Sequence, residues 1–187
     1  QLYQDDPEAQ SKALSQLHAG IDRASRLVDQ LLTLSRLDSL DNLDDVEPIP
    51  LTDLLQSAVL DIWHPAQQAG IDLRLNIHAP EVTRTGQQIL MSLLVRNLLD
   101  NAIRYSPRGS VVDVTLDARG FTVRDNGPGI SPDALARVGE RFYRPPGQDA
   151  TGSGLGLSIV KRIATLHGMR VSLSNAPEGG FEVKVSW

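Results

Sequence analysis

The stretch TGSGLGLSIV, Thr151 to Val160, places Gly152, Gly154 and Gly156 at alternate positions directly before an apolar-periodic run. A loop feeding a helix N-terminus has this form, and the free N–H groups and dipole there favour an anion such as phosphate. Glycines in such a loop adopt backbone conformations that a β-carbon forbids. Tight helix packing is an alternative reason for them. The Lys-Ser/Thr of a P-loop is missing, as is the G-x-G-x-x-G spacing of a dinucleotide fold.

Two further stretches carry candidate chemistry. In NLLDNAIRYS, Asn97 and Asn101 lie one helical turn apart with Arg104 on the same stripe. Either the two carboxamides satisfy loops or neighbouring strands, or they face a ligand. An amide oxygen suits Mg²⁺ and a guanidinium suits phosphate. In FTVRDNGPGI, the period of a strand puts Phe121, Val123 and Asp125 on one face, so Asp125 points inward after two core residues. Asp-Asn-Gly is also an ordinary surface-turn signal. The other reading is an inward carboxylate accepting from an exocyclic amine, such as adenine N6, with glycines letting a flat ring approach.

The elements that must position these residues follow from periodicity. Pro7 to Leu40 reads as an amphipathic helix with Leu14, Leu17, Ile21, Ala24, Val28 and Leu31 in a heptad seam. Such a seam needs cover, either its own domain or another helix. LDSLDNLDDVEPIP, Leu37 to Pro50, is acidic, ends with prolines and reads as a linker. A short strand near Ile49 to Leu51 precedes a helix from Thr52, a candidate cap, to Ala69. Ile71 to Ile77 alternates as a half-buried strand, and Gln87 to Tyr105 is a long, largely buried helix. Ser110 to Asp125 reads as two strands about an Ala118-Arg119-Gly120 turn, and Ser131 to Gln148 as mixed, with short helical pieces. Leu155 to Leu166 is a helix closed by Gly168, followed by strands near Arg170 to Ser174 and Gly180 to Trp187. Helices and strands do not alternate regularly, so the expected class is α+β: one mixed sheet with helices on one face, preceded by a long helix. The expected division is a helical arm over 1–40, a linker over 41–48 and a main domain over 49–187.

Composition narrows the classes. The chain has 187 residues, net charge −5 and 41% hydrophobic residues, an ordinary globular balance that argues against a general nucleic-acid binder. Cysteine is absent, which excludes disulfides and cysteine-ligated zinc. No apolar run is long enough to span a bilayer. The chain opens QLYQDDPEAQ without an initiator Met and is expected to be a fragment or a processed product.

Together the motifs resemble a known family. NLLDNAIRYS resembles the N box of sensor histidine kinases, DNGPG their G1 box, RFYRPPG their F box and TGSGLGL their G2 box. QLLTLSRLDSLDNL resembles the second helix of the dimerisation and phosphotransfer domain. The resemblance implies a Bergerat-type ATP-binding fold with ATP and Mg²⁺. Asn101 would hold the metal, Asn97 would support it, and Arg104 would stand where many members have Lys. Tyr105 would lie near the base, Asp125 would bind adenine N6, and Gly127, Gly129 and Ile130 would line the pocket. The segment from Ser131 to Ser153 would be a lid, with Arg144 reaching the phosphates. Gly152, Ser153, Gly154, Leu155, Gly156 and Leu157 would close over the phosphate chain. His167 reads as structural.

Family members phosphorylate a histidine followed by an acid. The four histidines here stand as His18-Ala19, His64-Pro65, His78-Ala79 and His167-Gly168, and none fits. The expectation is the catalytic part of a sensor histidine kinase without its acceptor helix. It would come from the cytoplasmic region of a bacterial inner-membrane sensor that is a homodimer and relays phosphoryl to a response regulator. The rivals are an ATPase of the gyrase, chaperone or mismatch-repair type, and a dimerisation module with vestigial ATP motifs.

Overall fold

The computed structural model describes residues 7–145 and 152–187. Five helices and seven strands follow in the order α1 (Pro7–Asp38), β1 (Glu47–Pro50), α2 (Leu51–Ala69), β2 (Asp72–Ile77), β3 (Thr83–Gly86), α3 (Gln88–Tyr105), β4 (Val111–Asp117), β5 (Gly120–Asp125), α4 (Pro132–Leu135), α5 (Gly156–Leu166), β6 (Arg170–Asn175) and β7 (Phe181–Ser186). The main sheet runs β2-β4-β5-β7-β6. Its β2–β4 pair is parallel and every other pair antiparallel. This is the expected α+β architecture.

Alternation decides which face is covered. Val112, Val114 and Leu116 of β4 are fully buried, as are Phe121 and Val123 of β5 and Val185 of β7. They meet Leu94, Val95, Leu98 and Leu99 of α3, Leu51 and Leu55 of α2, and Ile159 and Ile163 of α5 in one core. The opposite face carries Asp113, Thr115, Thr122, Arg124, Glu182 and Lys184. A sheet wetted on one side needs this pattern. α3 is the central helix, packed on both α2 and α5.

Two local expectations need correction, and one open alternative is decided. Thr52 does not cap α2: the helix begins at Leu51 after an extended Pro50, and Thr52 Oγ1 donates to Pro80 O at 2.8 Å instead. The linker is shorter than 41–48, because Glu47 and Pro48 already pair with Gly86 and Thr85 of β3, a strand the pattern did not reveal. The heptad seam of α1 is not covered by its own domain: Leu14, Leu17, Ile21, Val28 and Leu31 are all exposed. Only the C-terminal part of α1 docks, from Leu27 onward, with Leu34 and Leu37 buried in the core. Their burial contributes roughly 2 kcal/mol each, enough to fix this end.

Candidate nucleotide-binding site

One cavity lies between α3, the end of β5, the stretch after α4 and the start of α5. α3 supplies its floor. Asn97 is largely buried and donates from Nδ2 to Leu93 O, one turn back, at 2.8 Å, so its own helix satisfies the amide and leaves Oδ1 free. Asn101, one turn further on, has no side-chain hydrogen bond among the described residues and lines the cavity. Arg104 and Tyr105 continue the wall. Asp100, between the two asparagines, also lines it; burial pushes its carboxyl above the usual range, and Arg96 and Arg104 pull it back down.

The glycine loop comes in against these groups. A β-carbon at Gly156 would stand 3.2 Å from both Asn101 Nδ2 and Asn97 Oδ1. One at Gly152 would stand 3.0 Å from Tyr105 Oη and 3.3 Å from Arg104 Nη1. Gly154 has φ +72°, and a β-carbon there would meet Phe142 C at 2.7 Å. Gly154 is required by its positive φ and its approach to backbone, while Gly152 and Gly156 spare side chains that a β-carbon would have to push aside, and the loop brings backbone N–H groups to the helix start beside two amides and a guanidinium.

The opposite end is built by the sheet. Asp125 closes β5 and is 7% exposed. Its Oδ1 accepts from Gly127 N at 2.9 Å and from Phe181 N at 3.2 Å. Its Oδ2 has no partner among the described residues, and the residue lines the cavity. The loop behind is clamped by Asn175, whose Oδ1 accepts from Ile130 N at 2.9 Å and whose Nδ2 donates to Ile130 O at 2.6 Å. Gly180 permits the packing, since a β-carbon there would fall 1.8 Å from Asp125 O. Val123, Gly129 and Phe181 line this end with apolar surface. An inward carboxylate oxygen beside a flat apolar slot suits a ring that donates one hydrogen bond.

The cavity thus gathers Asn97, Asn101, Arg104, Tyr105, Asp125, Gly129, Ile130, Gly152, Ser153, Gly154, Gly156 and Leu157. Three expected residues stand elsewhere. Gly127 lies behind Asp125 and holds it rather than lining the wall. Leu155 is fully buried in the core, where it anchors the start of α5. Arg144 is exposed and lies outside the cavity wall. The expected lid falls partly on residues 146–151, outside those described. Sequence reasoning missed Asp100, Tyr143 and Gln30, a residue of α1 that reaches the wall, and Asn175, which clamps Ile130 from behind it. His167 is structural, as expected: Nε2 accepts from Gln87 N at 3.1 Å while Nδ1 meets Ile163 O at 2.8 Å, which fixes the neutral Nδ1–H tautomer. Among the described residues no helix is long and apolar enough to cross a membrane.

Known proteins resemble this chain in sequence and fold. The histidine kinase-, DNA gyrase B- and HSP90-like ATPase family matches residues 86–187. The sensor protein QseC of Escherichia coli K12 is 74% identical over 187 residues, covering all of this chain and 42% of that protein. The solved cytoplasmic segment of histidine kinase QseC is 63% identical, with a TM-score of 0.66 over 89% of this chain and 93% of that one. Full-length ShkA in complex with AMPPNP is 26% identical, with a TM-score of 0.80 over 95% of this chain and 38% of that one. The chain spans under half the length of the curated QseC relative. It belongs to the histidine kinase-, DNA gyrase B- and HSP90-like ATPase family, among its sensor histidine kinases, and carries their ATP-binding domain.

Proposed function

We propose that the cavity binds Mg–ATP and presents the γ-phosphoryl for transfer to a histidine outside these residues. The observation that carries this reading is the opposition of two groups without partners among the described residues, Asp125 Oδ2 and the Asn101 amide, across one cavity. Asp125 accepts from adenine N6 and Gly129 lines the slot for the ring. Tyr105 lies beside the base. Arg104 and the loop amides of Gly152 to Leu157 neutralise the phosphate chain, with Arg144 at the rim. Catalysis in phosphoryl transfer is mostly positioning and charge neutralisation, which these groups supply.

The residues fit Mg²⁺ in one particular way. No cluster of three or more His, Cys, Asp or Glu side chains among the described residues would cage a cation. Mg²⁺ commonly takes only one or two protein ligands and completes its shell with phosphates and water. Asn101 Oδ1 is such a ligand, and Asn97, held by its own helix, supports it. Held there, the metal would offset the charge of the phosphates.

In the longer protein, the exposed seam of α1 would pair with a second copy, and the phosphoryl would pass to a response regulator. The chain would then be the cytoplasmic part of a bacterial inner-membrane sensor. Titration of this chain with Mg–ATP should show binding. Incubation with γ-labelled ATP should leave it unlabelled until a polypeptide carrying the acceptor helix is added. Failure to bind any adenine nucleotide would overturn the reading, and rapid free hydrolysis would favour an ATPase of another class.

A further inference from the structure

We propose that Gln30 of α1 is a positioning residue of the nucleotide site, acting on the phosphate-side loop through Ser153. The inference rests on the reading of the cavity as an ATP site. Ser153 Oγ donates to Gln30 Oε1 at 2.5 Å, across 123 positions of sequence, and accepts from Leu155 N at 3.1 Å. A hydroxyl has a single proton. With that proton on Gln30 and a lone pair on the Leu155 amide, Ser153 is locked in one rotamer and the loop is set at the start of α5.

Gln30 is aimed there by the packing of α1. The helix carries two stripes. One is the exposed heptad seam. The other runs through Leu27, Gln30, Leu34 and Leu37 with the same 3-4-3 spacing and faces the domain: Leu34 is 3% and Leu37 is 2% exposed, and Leu27 packs on the core. Two more contacts fasten this end. Arg141 Nη2 meets Asp38 at 2.9 Å, and Arg162 donates to Leu37 O at 3.1 Å and to Leu40 O. Gln30 is thus the polar member of an otherwise apolar docking stripe, and it lines the cavity. Its Nε2 carries two protons with no partner among the described residues, on the wall shared with the glycine loop. Those protons are suited to phosphate oxygens.

Two substitutions separate the parts of this role. Gln30→Glu keeps an acceptor for Ser153 but removes the donor and places negative charge beside the phosphates. Gln30→Ala removes both without adding charge. ATP, ADP and adenosine affinities would be measured on the 187-residue chain, by calorimetry for the nucleotides and by NMR shift titration for adenosine. The expected result is ATP binding weakened about fivefold by Ala, which frees Ser153, and about tenfold by Glu, whose charge adds to the lost donor, with adenosine affinity unchanged in both. ATP affinity within twofold of the parent in the Ala variant would overturn the proposal, since a loss in Glu alone is charge repulsion. So would an equal loss for adenosine and ATP, which is what mere undocking of α1 predicts. No ATP binding by the unsubstituted chain would sink the site reading itself, and this role with it.

Discussion

At the end of the cavity proposed to receive the base, Asp125 is fixed by two backbone N–H groups and the loop behind it is clamped by both atoms of the Asn175 amide. At the phosphate-facing end, Asn101 has no side-chain partner among the described residues, Arg104 is exposed, and Ser153 is held by a side chain from a separate helix. The first end is organised before any ligand arrives. The second is assembled from α3, a glycine loop and α1, and it keeps its polar groups free. A neutral ring offers few hydrogen bonds, so its recognition depends on an acceptor that does not move. A polyphosphate with its metal brings ample charge and needs donors that can close on it. Substitutions at the two ends should therefore fail differently.

The largest effect is expected at the fixed end. Asp125→Asn preserves an oxygen for Gly127 N and Phe181 N, so the fold should persist. It turns the inward oxygen into an amide donor facing another donor. Loss of that charged hydrogen bond, with an unmet donor in its place, should weaken ATP binding about 100-fold, near 3 kcal/mol. Calorimetry with and without Mg²⁺ should find the same loss in both conditions. Unchanged affinity would remove Asp125 from adenine recognition.

At the adaptable end, Asn101→Ala should cost about tenfold in ATP affinity with Mg²⁺ present and almost nothing in EDTA. Equal losses in both conditions would break the proposed distinction between the ends. Gly156→Ala should act more gently. Its β-carbon, 3.2 Å from Asn101 Nδ2 and Asn97 Oδ1, must push both amides aside by a few tenths of an ångström. ATP affinity should fall a few-fold, while the thermal midpoint holds or rises slightly, because Ala favours helix over Gly. A stability loss with intact binding would show that the glycine serves packing rather than the site.

How much of this was legible in the sequence differs between the ends in the same way. Period-2 alternation pointed Asp125 inward behind Phe121 and Val123, while Asp-Asn-Gly left a surface turn open, and the burial of Asp125 decides between them. The glycine loop was legible as a helix start, but Leu155 was not legible as core, since alternate glycines mask which face the residue between them takes. The partner of Asn97 was hidden because it is a carbonyl of its own helix, available at any such position. Thr52 looks like a cap in isolation, and only the return of the chain at Pro80 gives its hydroxyl a better acceptor. The strand at Thr83–Gly86 is short, polar and paired outside the main sheet, so no apolar period marks it. Gln30 lies on the stripe of Leu27, Leu34 and Leu37, beside the seam that the sequence shows, and nothing local says that this stripe meets the nucleotide site.

The smallest expected effect concerns the frame that both ends share. His167, at the end of α5, accepts from the backbone N–H of Gln87 just before α3. Gly86 makes room for the ring, since a β-carbon there would fall 2.3 Å from Cδ2. Burial lowers the imidazole below its usual 6.5, opposed in part by the bond to Ile163 O. The unfolded chain therefore binds more protons than the folded one in the window just below pH 6.5, and stability rises with pH there. The contribution is complete above about pH 6.5 and is lost as pH falls towards the folded-state value, because a protonated Nε2 would confront the Gln87 donor. Asp100 works with the opposite sign and lower in pH: its carboxyl is raised above 3.8, so the folded chain binds more protons there. Urea midpoints measured between pH 5 and 8 should fall modestly on the acid side, and His167→Ala should flatten that slope while lowering the midpoint throughout. If ATP affinity also falls on acidification in step with the midpoint, the α3–α5 joint sets the geometry of the phosphate end. If affinity for adenosine falls equally, the joint governs both ends, and the contrast between a fixed and an adaptable end lies in their local hydrogen bonds alone.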